Sequence, residues 1–236
     1  FAQYDYIIHV LSGSKTWKTI HGEWKIDAGQ TLYVKKGAAL VTQFFDEDFC
    51  MLGFFLPDDL IRGSLQGLDN KSIPFNGNKL HQFTAAKLKE NTYLDNFFQS
   101  MLVYFREKKQ PPDSIIKLKL KELLLNIVYN CDDQLLVSYL KYVHQNSNPS
   151  LTHIMETNFC FNLKLEEFAK LSHRSLSTFK RDFYNHYNAT PGKWLLEKRL
   201  NFAANLLIHN DQSISQIAFD SGFEHAAHFS RVFKNK

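Results

Sequence analysis

The sequence predicts a multi-domain chain. Its β-rich N-terminal part is followed by a helical middle and an all-α C-terminal end carrying two helix-turn-helix units. Three observations carry that reading. Short aromatic and β-branched runs alternate with turn residues up to about residue 57. The apolar spacing then changes from strand-like to helical. Near the C-terminus one helical pattern occurs twice, fifty residues apart.

The strand region reads "YDYIIHVL", "KTWKTI", "EWKI", "TLYV", "LVTQFF" and "CMLGFF", separated by "SGS", "HG", "DAG", "KKG" and "DED". Glycine and aspartate supply the turns, so an antiparallel sandwich or barrel is expected. In "KTWKTI" the two-residue period puts Thr16, Lys18 and Ile20 on one face, with Trp17 and Thr19 on the other. Phe1, Tyr6, Ile8, Trp17, Trp24, Tyr33 and Phe44 either line an apolar cavity or fill the core.

"YLDNFFQSMLVYFREKK" places Leu94, Phe97, Phe98, Met101, Leu102 and Phe105 on one helical stripe. "PPDSIIKLKLKELLLNIVYN" does the same with Ile116, Leu120, Leu123, Leu124 and Ile127, and a third helix covers "DDQLLVSYLKYVHQ". Pro111, Pro112 and Asp113 separate the first two helices as an antiparallel pair. "NSNPS" reads as a linker. The expected division is 1–78, 79–147 and 148–236. A stripe of the middle part packs on the sheet or faces a second copy, and a homodimer through this region is expected.

No apolar run approaches the ~20 residues of a membrane helix, so no membrane partner is expected. The formal net charge is +4 over 236 residues. Residues 1–78 are net acidic and the remainder net basic, a balance compatible with a nucleic-acid partner. Cys50, Cys131 and Cys160 are odd in number, widely spaced and without a CxxC, which predicts buried reduced thiols in a cytoplasmic protein. The chain opens on Phe1, so a start trimmed from a longer protein is expected.

The repeat begins with "LKLEEFAKLS", a short helix turning Leu165, Phe168 and Ala169 inward. "SHRS" interrupts it. "LSTFKRDFYNHY" follows as a second helix with Leu176, Phe179 and Phe183 on one face. Ala169, ten residues before Phe179, allows the two helices to cross closely, as a helix-turn-helix requires. In the second unit Ser213 and Gln216 form the capping box S-x-x-Q, Ala218 is the small residue and Gly222 suits a left-handed turn. Phe229 and Phe233 face inward. Phe179, Arg181 and Phe183 recur at Phe229, Arg231 and Phe233, fifty residues on; Ala169 recurs at Ala218, forty-nine on. The second turn therefore has one extra residue. "TPGKWLLEKRLNFAANLLIHN" lies between, capped by Thr190 with Pro191 in its first turn. Trp194, Leu195, Leu200, Ala203, Leu206 and Leu207 supply its stripe.

The phenylalanines anchor each second helix. The opposite face carries Ser177, Lys180 and Arg181 in one unit and His225, His228 and Arg231 in the other. Arginine reads guanine through two hydrogen bonds, and lysines near helix ends meet phosphates. A solvated basic face on an ordinary bundle accounts for one such helix. It does not account for two matched helices with the same arginine position.

"TFKRDFYNHYNATPGKWLLEKRLNFAANLLIHNDQSISQIAFDSGFEHAAHFSRVFK" resembles the DNA-binding domain of the AraC/XylS family of bacterial transcription regulators. The matching elements are R-x-F, T-P-x-x-W, R-L-x-x-A-x-x-L-L, S-x-x-x-I-A, G-F and F-S-R-x-F-K, over about 162–236. The resemblance implies an AraC-type domain at 148–236, with helix-turn-helix units at about 162–188 and 213–236, that binds double-stranded DNA. It implies DNA-reading positions at Ser177, Thr178, Lys180 and Arg181, then His225, Ala227, His228 and Arg231. Ala227 offers at most a methyl contact to thymine. His173 stands where the family often has glycine or another small residue, so the first turn is expected to differ slightly. The chain stops at Lys236, before the family's usual closing segment, which is expected to belong to the intact protein. Residues 1–78 resemble, over fewer positions, the family's cupin-like sensing domain. Gln30, Lys36 and Leu40 in "GQTLYVKKGAAL" replace that pattern's Asp, Pro and His. A small-molecule effector or a regulatory protein acting on this domain is the implied control, and no cofactor is expected.

The competing reading is a cupin-type metal-dependent enzyme. It needs converging histidines and carboxylates. His9 and His21 are the only histidines in the strand region, with no acidic partner at metal-site spacing. His225 and His228 stand at i, i+3 without a third ligand. Nothing matches a nucleophile triad, a phosphate-binding glycine loop or paired catalytic carboxylates. The expectation is a regulator and not an enzyme.

Overall fold

The computed structural model describes residues 1–43, 48–68, 75, 77–107, 110–146, 148–209 and 212–235. They divide into two compact bodies, one of residues 2–36 and 40–147, the other of residues 148–236 with 1 and 37–39.

In the first body six strands follow the expected runs: β1 (Asp5–Ser12), β2 (Ser14–Thr19), β3 (Gly22–Asp27), β4 (Thr31–Val34), β5 (Leu40–Gln43) and β6 (Cys50–Leu56). A seventh, β7 (Ala85–Leu88), lies within the segment read as helical. "AAKL" has no β-branched residue and is too short to show a period. It is a strand because it pairs antiparallel with β4, Thr31 opposite Leu88 and Val34 opposite Ala85. The strands form a four-stranded sheet, β6-β1-β4-β7, and a three-stranded sheet, β3-β2-β5.

The alternation of β1 and β4 decides what each face meets. Ile7 lies opposite Tyr33, and both belong to the core shared with the helices. Tyr6, Ile8, Leu32 and Val34 point the other way. Tyr33 therefore leaves the set of residues expected to line one cavity with Tyr6 and Ile8. Phe1 leaves it too, being 49% exposed. Phe44, like part of the "DED" turn and Ser147 of the linker, lies outside the described residues.

Four helices belong to this body: α1 (Asp58–Ser64), α2 (Thr92–Arg106), α3 (Asp113–Asn130) and α4 (Gln134–Gln145). A 3₁₀ turn covers Gly77–Gln82. Helix α1 was not foreseen. It has only seven residues, one of them Gly63, and starts after Pro57 with Asp58 and Asp59 in its first turn. Asn91 caps α2 by accepting from the Leu94 N–H at 3.0 Å. Leu94, Phe97, Phe98 and Met101 are buried. Phe105 is 63% exposed, because the stripe continues in sequence one turn past the last buried position. Of the three thiols, only Cys160 is buried; Cys50 is exposed, and none forms a disulfide.

A buried polar network fastens the sheet to α1 and α4. The Asp5 carboxylate accepts from the Lys36 backbone N–H at 2.8 Å, the Tyr139 hydroxyl at 3.0 Å and the Tyr33 hydroxyl. The Lys36 ammonium meets both oxygens of Asp58 at 2.6 Å. Beside it the Lys35 ammonium donates to the Phe83 carbonyl at 3.3 Å. Burial lowers the Lys35 pKa to about 7, opposed by Asp5 and reinforced by Lys36. Burial also raises the Asp5 pKa and holds Tyr33 and Tyr139 well above theirs.

The second body is helical: α5 (Leu151–Asn158), α6 (Leu165–Leu171), α7 (Leu176–Tyr187), α8 (Pro191–His209), α9 (Ile214–Asp220) and α10 (Ala226–Lys234). Helix α8 holds the end of α5. Arg199 donates to the carbonyls of Phe159 and Phe161 at 2.6 and 2.7 Å, and Lys198 meets Glu156 at 2.7 Å. Burial lowers the Arg199 pKa from its usual value.

Lys35 has its proton affinity reduced by folding, so it costs stability below pH 7 and less as pH rises towards its unfolded value of about 10.5. Lys35→Met is expected to stabilise the first body at pH 7 by about 1–4 kcal/mol. It is also expected to flatten the gain between pH 7 and 9, both read from thermal melts at the two pH values. Unchanged melting and an unchanged slope would contradict this.

Candidate nucleic-acid interface

Each helix pair crosses over a small residue beneath phenylalanines. Ala169 and Ala218 are both buried, and Phe168, Phe179 and Phe183 are fully buried in the first unit. The Phe168 and Phe179 rings stack 6.5 Å apart. In the second unit Phe229 packs on Phe223 and Phe233, each at 5.1 Å between ring centres, over Ile217 and Ala218. Leu176 and Phe233 are only half-buried.

The two turns close in the same way. Ser172 and Ser221 end their helices with backbone angles of −89°, 4° and −91°, 3°. The next residue is left-handed in both, with φ 55° at His173 and 86° at Gly222. The N–H groups of His173 and Arg174 then bond to the carbonyls of Lys170 and Ala169. Those of Gly222 and Phe223 bond to Phe219 and Ala218. This is a Schellman closure, which satisfies the last carbonyls of the helix. The difference expected at His173 is thus absent from the backbone: a histidine takes the conformation that glycine takes in the other unit. Gly222 has a second reason to be glycine. A Cβ there would lie 2.8 Å from the Cys160 carbonyl and 2.9 Å from Arg199 Nε.

The second helices start differently. Ser175 caps α7, accepting from the Thr178 N–H at 3.2 Å, whereas His225 begins α10 without a side-chain cap. Ser213 caps α9 through the Gln216 N–H at 3.2 Å, but the Gln216 side chain donates to Asp220 at 2.9 Å. The expected capping box is therefore half formed. Thr190 caps α8 through the Lys193 N–H at 3.4 Å.

Ser177, Lys180 and Arg181 are exposed on α7, spaced i, i+3, i+4 and so along one face. Thr178 is half-buried, and its hydroxyl accepts from Ser175 at 2.9 Å, so part of its hydrogen-bonding capacity is used within the helix. His225, Ala227, His228 and Arg231 are all exposed at the start of and along α10. His228 packs edge-on against Phe223 at 5.9 Å. Tyr184, 56% exposed and three residues past Arg181, shares the α7 face and was missed. Its spacing was the available signal. Lys234 stands fifty residues later in the same place.

Chemically this is a pair of basic, hydrogen-bonding helix faces on rigid supports. Among the described residues no group of three His, Cys, Asp or Glu is placed to hold a metal ion. None of the described helices is long and apolar enough to cross a membrane.

A β-rich N-terminal domain and a C-terminal helical domain with duplicated helix-turn-helix units define a DNA-binding regulator. Comparison with known proteins agrees. The model of the ExsA N-terminal regulatory domain matches residues 5–139, and a helix-turn-helix domain model matches 168–236. The chain belongs to the AraC family of transcription regulators, with a regulatory domain preceding its DNA-binding domain. Similar proteins include the virulence regulon transcriptional activator VirF of Yersinia enterocolitica, 23% identical over 96% of this chain and 83% of that protein. The thermoregulatory protein LcrF of Yersinia pestis has the same identity and coverage. The HTH-type transcriptional regulator ExsA of Pseudomonas aeruginosa is 25% identical over 93% of this chain and 87% of that one.

Alanine at a left-handed position costs about 1–2 kcal/mol, before the overlap with Cys160 is counted. Gly222→Ala is therefore expected to lower the melting temperature of the C-terminal domain. His173→Gly, which relieves the same conformation in the other unit, is expected to hold or raise it. Equal losses from the two substitutions in thermal unfolding would contradict the account of the turns.

Proposed function

We propose that α7 and α10 enter successive major grooves on one face of duplex DNA, about 34 Å apart. Arg181 and Arg231 then read bases with Ser177, Thr178, His225, Ala227 and His228 alongside, and Lys180 shares the first face. Ala227 can contribute only a methyl contact. One observation carries this: the phenylalanine core and exposed arginine occur twice, fifty residues apart, each behind the same turn closure. Between them runs α8, whose 19 residues make a rod about 28 Å long, which supports its role as a linker helix.

In this reading residues 148–236 bind DNA, and 1–78 form a cupin-like sensing part. Residues 79–147 form a helical region through which two copies pair. The partly exposed stripe of α2, ending at Phe105, supports pairing. A small-molecule effector or a regulatory protein acts on the sensing part. The protein works in the cytoplasm, where its three cysteines, none in a disulfide, stay reduced, and it needs neither cofactor nor catalysis. Activation is the direction of control named for the Yersinia enterocolitica relative, and the proposal extends it to this chain.

The test uses DNA fragments from the protein's own genomic neighbourhood, over a salt series, against scrambled competitor. Arg181→Ala and Arg231→Ala are each expected to weaken specific binding by about 1–3 kcal/mol and non-specific binding by less. Equal loss on both DNAs would assign these arginines to phosphates and contradict the base-reading role.

A further inference from the structure

Arg174 stands in the turn of the first unit and is tied in three directions. Its Nε donates to Asp182 Oδ2 at 3.1 Å. Its Nη1 donates to the carbonyls of Ser172 at 2.8 Å and Pro149 at 3.3 Å. The other oxygen of Asp182 lies 3.5 Å from Nε of Arg181, one residue earlier on α7. Neighbouring helical residues diverge by about 100°, so Arg181 lies across the helix surface to make this contact.

An arginine whose Nε sits against a carboxylate keeps both terminal nitrogens free and in one plane. That is the fork which matches guanine O6 and N7. An isolated exposed ion pair is weak because two mobile side chains must be ordered to form it. Here Arg174 has already ordered the carboxylate. The second unit lacks the device: Val232 occupies the place of Asp182, and Phe223 the place of Arg174 at the turn.

We propose that Asp182 is a positioning residue for Arg181: anchored by Arg174, it aims the arginine at a base and makes the first unit stricter in base choice than the second. The carboxylate also repels phosphates, so it weakens binding to DNA of arbitrary sequence. The proposal rests on the reading that α7 lies in a major groove with Arg181 at the bases.

The experiment selects duplexes from a random-sequence library with the full chain. It compares wild type, Asp182→Val, Asp182→Glu, Arg181→Ala and the double variant Arg181→Ala with Asp182→Val, with thermal melts of each. Wild type is expected to show one base preference that Arg181→Ala removes. Asp182→Val lowers that preference about 3- to 10-fold, leaves the others intact and tightens binding to non-specific duplex. Asp182→Glu restores part of the preference, and Asp182→Val has no further effect when Arg181 is already alanine. An unchanged preference in Asp182→Val would overturn the proposal. So would a loss spread over all positions with a lower melting temperature, which would make the carboxylate a packing group. If Arg181→Ala removed no base preference, the groove reading itself would fail and this proposal with it.

Discussion

The C-terminal domain depends on one backbone constraint used twice: a left-handed residue directly after a short helix. It lets the chain reverse within the four residues between α6 and α7 and the five between α9 and α10, so that the second helix falls back on the first. With it, the last carbonyls of α6 and α9 are satisfied, and Ala169 and Ala218 are pressed under the phenylalanines of α7 and α10. The arginines then face outward because the opposite side of the helix is fully occupied. Exposure of Arg181 and Arg231 is thus a consequence of how Phe179 and Phe229 are buried.

The two units meet this constraint at different cost. Gly222 takes the left-handed conformation freely and has no room for a side chain. His173 takes it with a Cβ in place, so strain is stored next to Arg174, the residue that organises the carboxylate beside Arg181. Both units are built on packed phenylalanines, and the first adds the Arg174–Asp182 ion pair at its turn. In the N-terminal body a comparable constraint acts through buried charge. Asp5, Lys36 and Asp58 link β1, the end of β4 and α1, and the Tyr139 hydroxyl adds α4. Removing the Asp5 carboxylate would take the shared acceptor from the Lys36 N–H and the Tyr33 and Tyr139 hydroxyls, the condition that makes such networks specific.

Much of this was legible in the sequence where a period was long enough to read. Six strands, three helices of the middle part and every helix of the two helix-turn-helix units follow from spacing and turn residues. The exceptions were short or set by tertiary partners. Strand β7 exists because β4 offers it hydrogen bonds, and α1 is seven residues with a glycine inside. Periodicity placed Phe105 on the helical stripe of α2, but it cannot say where along that stripe the helix runs out of neighbours. The exposed face of each second helix was visible in the arginine repeat, and the exposure of Tyr184 on the same face follows from the same spacing. The Arg174–Asp182–Arg181 chain was not, because a turn residue and a residue eight positions later meet only after the helix has formed.

The central claim is that two separate helices read one face of the DNA. Hydroxyl-radical footprinting of the full chain on a duplex it selects tests that most directly. Two protected patches one helical turn apart, about 10 base pairs, are the predicted result, with Arg181→Ala and Arg231→Ala each clearing a different patch. A single protected patch, or two patches cleared together by either substitution, would contradict the account.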